Sequence, residues 1–132
     1  MPILFAQIAS APNVNSAQFV DIPGLALDLP ATPNVSPLDH ALIILNVPNP
    51  FAEGSEFPGL DFGINVSGQV VAIGSFTYPM RQPESFARSP FTLVVRVALR
   101  DGLNTPVRAQ WRSIRNSTGH IDSYACISAV LG

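Results

Sequence analysis

Lysine is absent from this chain, and charged side chains of all kinds make up only 12% of its 132 residues. The seven basic residues are all arginine, and the formal net charge is −2. A phosphate-tracking nucleic-acid binder needs a basic stripe, and none is present. The single cysteine, Cys126, excludes an intrachain disulfide framework and any CxxC zinc or redox site. No uninterrupted apolar run approaches the roughly 20 residues that span a bilayer, so membrane insertion by a helix is not expected. Helical periodicity is missing too, because 13 prolines interrupt every window long enough for a 3.6-residue period. The N-terminus lacks a positively charged segment, and Gln7 breaks its apolar stretch. It reads as a first strand and not as a signal peptide, so an extracellular or cell-surface site of action would need another export route.

What the chain does have is apolar residues, 47% of the total, and alternation. Its length suits one domain, 1–132, able to fold without metal or disulfide. Phe91, Leu93, Val95, Val97 and Leu99 share one strand face, and Thr92, Val94, Arg96, Ala98 and Arg100 the other. Leu60, Phe62, Ile64 and Val66 alternate with Asp61, Gly63 and Asn65. Ile121, Ala125, Ile127 and Leu131 oppose His120, Asp122, Tyr124 and Cys126. The run Leu42–Leu45 is apolar on both faces, as in a strand covered twice. Turn chemistry at Pro48-Asn49-Pro50, Gly54, Ser67-Gly68, Asp101-Gly102 and Thr118-Gly119 separates these runs. The expectation is an all-β jelly-roll sandwich of about eight strands. Scarce charge and doubly apolar strands add the expectation that another subunit covers part of the surface.

Several constellations could carry chemistry. Asp61-Phe62-Gly63 spells a kinase metal motif, but the rest of a kinase is missing. His120-x-Asp122-x-Tyr124 places three polar groups on one strand face. The other histidine, His40, stands beside Asp39 in a proline-rich segment, so a hydrogen-bonded polar patch is favoured over a metal site. No GxSxG elbow supports a serine triad, and the carboxylates Glu84 and Asp122 are not spaced to flank a glycosidic bond. The Asn-x-Ser/Thr matches at Asn34, Asn65 and Asn116 read as chance. The segments 76–88 and 111–115 hold most of the polar and aromatic groups beyond packing needs. Arginine forks, carboxylates, hydroxyls and aromatic faces are the mixture that sugar binding uses. The competing reading is that the arginines rim a surface and Trp111 fills a core.

The strings Val20-Asp21-Ile22-Pro23-Gly24-Leu25, Phe57-Pro58-Gly59, Phe76-Thr77-Tyr78, Pro83-Glu84-Ser85, Gln110-Trp111 and His120-Ile121-Asp122-Ser123-Tyr124-Ala125 together resemble one family, in order and over nearly the whole chain. It is the fucose-binding lectin domain with a tumour-necrosis-factor-like fold, found at the N-terminus of a Burkholderia superlectin. The resemblance implies a jelly-roll homotrimer that binds fucosylated oligosaccharides without calcium or other cofactor, in pockets between protomers, and is not an enzyme. In that family a second, calcium-dependent lectin domain follows; none is expected within 1–132.

The implied pocket takes Thr77, Tyr78 and Arg115 from one protomer. From its neighbour it takes Ser85 and Arg88, together with three positions where this chain departs from the family. Phe51 replaces a tyrosine and loses its hydroxyl, Asp61 replaces an aromatic platform with a charge, and Phe86 replaces a threonine. Glu84, His120, Asp122 and Ser123 match the extension that meets the rest of an oligosaccharide. Retention of both arginines favours a ligand with vicinal hydroxyls. A trimeric adhesion or assembly domain with an unused pocket is the alternative of a different class.

Overall fold

Alternation of apolar and polar residues becomes a two-layer antiparallel sandwich in the computed structural model, which describes residues 2–32, 39–81 and 87–132. Eleven strands follow one another among the described residues: β1 (Ile3–Gln7), β2 (Asn13–Val14), β3 (Val20–Leu29), β4 (His40–Val47), β5 (Pro50–Glu53), β6 (Gly59–Val66), β7 (Gln69–Thr77), β8 (Phe91–Ala98), β9 (Thr105–Ile114), β10 (Thr118–Ile121) and β11 (Cys126–Leu131). One sheet has the order β1-β11-β4-β8, the other β3-β9-β6-β7, and a small third sheet β2-β10-β5 closes one end. The chain changes sheet at almost every connection, the β6–β7 hairpin excepted, which is the jelly-roll winding.

The core lies between the two large sheets, where every second residue points inward. Phe62 stacks on Phe91 of the opposite sheet at 4.7 Å between centroids and lies 6.3 Å from Trp111. Trp111 is fully buried, so it fills the core as the competing reading held.

The outer face of β1-β11-β4-β8 carries apolar residues as well, with Arg96 and Ser128 among them. Register aligns Ile3, Val130, Leu42 and Arg96 in one row across the four strands, and Phe5, Ser128, Ile44 and Val94 in the next. Ile3, Phe5, Leu42 and Val94 are all exposed.

Two sequence expectations are corrected. His40 begins β4 and is not in a loop. Its Nδ1 lies 2.6 Å from Asp39 Oδ1, and this bond holds the Asp39 carboxyl below its usual range. The expected run from His120 to Leu131 is not one strand, because β10 ends at Ile121 and belongs to a different sheet from β11. Asp122 and Tyr124 therefore lie in the corner between sheets and do not share a strand face with His120.

Candidate functional site

Pairing of β5 with β10 puts Phe51 directly opposite His120. Their rings stack, with centroids 4.5 Å apart and planes 11° from parallel. Arg88, on the connection from β7 to β8, holds its guanidinium 4.1 Å from the centroid of the same Phe51 ring. Its Nε donates to Asp122 Oδ2 at 3.0 Å, and Nη2 donates to the same oxygen. His120 Nε2 lies 3.3 Å from Glu53 Oε2. The corner that carries Asp122 and Ser123 is fastened to the β4–β5 turn. Asp122 N–H donates to the Asn49 carbonyl at 3.0 Å, and Asn49 Nδ2 donates to Ser123 Oγ at 2.7 Å. Five expected residues thus come together: Phe51, Arg88, His120, Asp122 and Ser123. Phe51 is only 9% exposed, so it acts as a spacer that fixes an arginine and a histidine, not as an open platform.

A second group forms where β6 begins and β7 and β9 end. Thr77 and Ile114 flank Gly59 in register. A Cβ on Gly59 would come within 2.8 Å of the Thr77 methyl, so only glycine lets the three strands close here. Arg115 follows directly and donates from Nη1 to the Phe57 carbonyl at 2.9 Å. Tyr78 spans the two groups. Its N–H donates to the Pro58 carbonyl at 2.9 Å, beside Phe57, and its ring runs inward beneath the Arg88 segment, where the hydroxyl donates to the Ala87 carbonyl at 2.5 Å. Burial pushes the Tyr78 phenol above its usual range, so it is a donor committed to backbone at neutral pH.

Asp61 stands elsewhere, on the outer face of the β3-β9-β6-β7 sheet. Its carboxylate accepts from Ser75 Oγ at 2.5 Å and from Arg112 Nε at 2.7 Å, and it is buried. The Arg112 guanidinium in turn lies 4.3 Å from the Phe19 ring centroid. Asp61 is therefore a paired group within the sheet. Glu84, Ser85 and Phe86 lie outside the described residues.

Sequence reasoning gave no site role to Asn49, Glu53 or Phe57, and reached Arg112 only as part of the polar segment 111–115. Arg112 was the most accessible of these, since period-2 alternation puts it on the face opposite Trp111. The roles of Asn49 and Glu53 depend on which loops and strands meet, which no local pattern records. Among the described residues no three His, Cys, Asp or Glu side chains converge as metal ligands would.

The fold and the site together define an antiparallel β-sandwich domain with arginines and hydroxyls gathered at one end of the sheets. The chain belongs to the family described as Bc2l-C, N-terminal domain, whose profile matches residues 7–130. That membership gives it a lectin-like, carbohydrate-binding role. No match was found among curated proteins. Among solved structures, one similarity is to the insecticidal delta-endotoxin Cry8Ea1 from Bacillus thuringiensis (TM-score 0.49, 12% identity, covering 92% of this chain and 19% of that one). Another is to dimeric latent PorU from Porphyromonas gingivalis (TM-score 0.54, 8% identity, covering 96% of this chain and 12% of that one). The chain thus spans under a fifth of each of these proteins, and at such low identity the PorU likeness speaks to the fold alone.

Proposed function

We propose that this domain is a calcium-independent lectin for fucosylated or closely related glycans, acting as a tumour-necrosis-factor-like homotrimer with sugar sites between protomers. The observation that carries the reading is Arg88. Its guanidinium is braced by Asp122 and by the Phe51 ring at the surface of a family whose role is carbohydrate binding. With Nε and Nη2 held on Asp122, the guanidinium is oriented before a ligand arrives, which lowers the entropy lost on binding. Arg115 supplies a second fork, and the resemblance assigns the two to opposite protomers of one pocket.

The apolar rows on the outer face of β1-β11-β4-β8 support assembly. A contiguous exposed patch of this kind in a chain so poor in charge needs a cover, and the final strand, β11, runs through its middle. Calcium independence rests on the scarcity of oxygen ligands.

A glycan array read with and without EDTA tests this. Binding to fucosylated glycans that survives chelation supports the reading. Binding abolished by EDTA and restored by calcium refutes the metal-free part, and a silent array favours a trimeric assembly domain with an unused pocket.

A further inference from the structure

Among the described residues five non-glycine positions hold a positive φ, and four of them meet at one end of the β6-β7-β9 array: Phe57 (47°), Met80 (67°), Arg115 (52°) and Asn116 (57°). They are tied to one another. Phe57 N–H donates to the Met80 carbonyl, and Arg115 Nη1 donates to the Phe57 carbonyl. Arg115 and Asn116 are the central pair of a type I′ turn from β9 to β10, closed by Ser117 N–H on the Ile114 carbonyl at 3.1 Å, where positive φ is ordinary; at Phe57 and Met80 left-handed backbone is sterically unfavourable and persists because the surroundings impose it.

The consequence here is display. Phe57 is 49% exposed and Met80 71% exposed, two apolar side chains held out of the core at positions where glycine would suit the backbone better. Beside them stands Arg115, its guanidinium 5.9 Å from the Phe57 ring centroid. Among the described residues its one hydrogen bond is to the Phe57 carbonyl, so most of its N–H donors are unspent.

An exposed aromatic ring and an arginine fork within reach of one another match the two faces of a pyranose. The C–H face packs on the ring, and adjacent hydroxyls pair with the fork. The two positions that the family resemblance assigns to aromatic rings cannot do this, since Phe51 is covered and Asp61 is an ion-paired carboxylate. We infer that Phe57 is the platform on which the apolar face of the bound sugar packs, with Arg115 holding its hydroxyls. The inference rests on the glycan-binding reading and deepens it.

The test is Phe57→Gly, titrated with methyl α-L-fucoside beside the wild type, with melting temperature read on the same samples. Glycine at φ 47° relieves strain, so the variant should melt no lower than wild type. Its affinity should fall by about tenfold, the loss of one good apolar contact. Ser67→Gly relaxes the remaining positive-φ residue, in the β6–β7 turn, and should leave affinity unchanged. Undiminished affinity in Phe57→Gly overturns the inference and leaves the glycan reading standing. Affinity and melting temperature falling together also overturn it, because that is the pattern of a structural residue. No binding by the wild type removes the fucoside reading and this inference with it.

Discussion

Phe51 and His120 face each other across the β5–β10 pair and stack with their ring centroids 4.5 Å apart. Arg88 rests on the same phenyl ring at 4.1 Å. Phe51 therefore positions both a cation and an imidazole while staying out of solvent itself. Phe51→Ala should cost about 3 kcal/mol of stability, at the low end for a buried phenylalanine because the ring lies close to the surface. Urea unfolding measures it, and a cost below about 0.5 kcal/mol would mean the stack organises nothing.

Asp61 and Arg112 form a partly buried pair, with side-chain exposures of 11% and 35%. Asp61→Ala leaves Arg112 Nε and Ser75 Oγ without their acceptor, and should destabilise by about 1–3 kcal/mol. A double-mutant cycle with Arg112→Ala isolates the coupling. Coupling indistinguishable from zero would show that the pair is incidental and that Asp61 is available to another partner.

Tyr78 gives a pH signature. Its folded-state pKa is raised by burial, so the folded protein keeps the phenolic proton at pH values where the unfolded chain releases it. Stability is unaffected below the ordinary tyrosine range and declines as pH rises above about 10. In Tyr78→Phe the alkaline decline should be shallower, and the lost bond to the Ala87 carbonyl should cost about 1 kcal/mol at neutral pH. Identical alkaline melting profiles for the two proteins would contradict the assignment.

Assembly is tested on the apolar rows. Light scattering at micromolar concentration should report three times the 14.1 kDa chain mass. Phe5→Asp or Val94→Asp places a carboxylate on the outer face, opposite Ile44 through the shared row, and should release monomers. A wild-type particle of single-chain mass, or variants that assemble unchanged, would count against the trimer.

The strands were legible wherever apolar residues alternate. Both faces of β8 and the inward set of β6 follow the sequence pattern residue by residue, because side-chain direction in a strand is set by a period of two. The two apolar faces of β4 were equally visible, but the expected double cover is not met within the chain, where Leu42 is 41% exposed on the outer side. The break between β10 and β11 was not, since Ile121, Ala125 and Ile127 are all buried and keep the apolar pattern running through a corner where the chain changes sheet. The site was half legible. The resemblance named Phe51, Arg88, His120, Asp122 and Ser123, but their mutual contacts join β5, β10 and two connections distant in sequence. The pairing of Asp61 with Arg112 depends on β6–β9 register, a non-local property, so it could not be read from either segment alone.

On the proposed reading each sugar site needs both arginine forks, Arg88 from one protomer and Arg115 from the next. Arg88→Ala and Arg115→Ala should each lower affinity for methyl α-L-fucoside by about 1.5–3 kcal/mol while leaving the fold intact. The decisive measurement is binding by a refolded mixture of the two variants, in which mixed trimers carry some interfaces with both arginines and some with neither. Partial recovery of high-affinity sites is expected in the mixture. Normal binding by either variant alone, or no recovery although mixed trimers have formed, would contradict the reading.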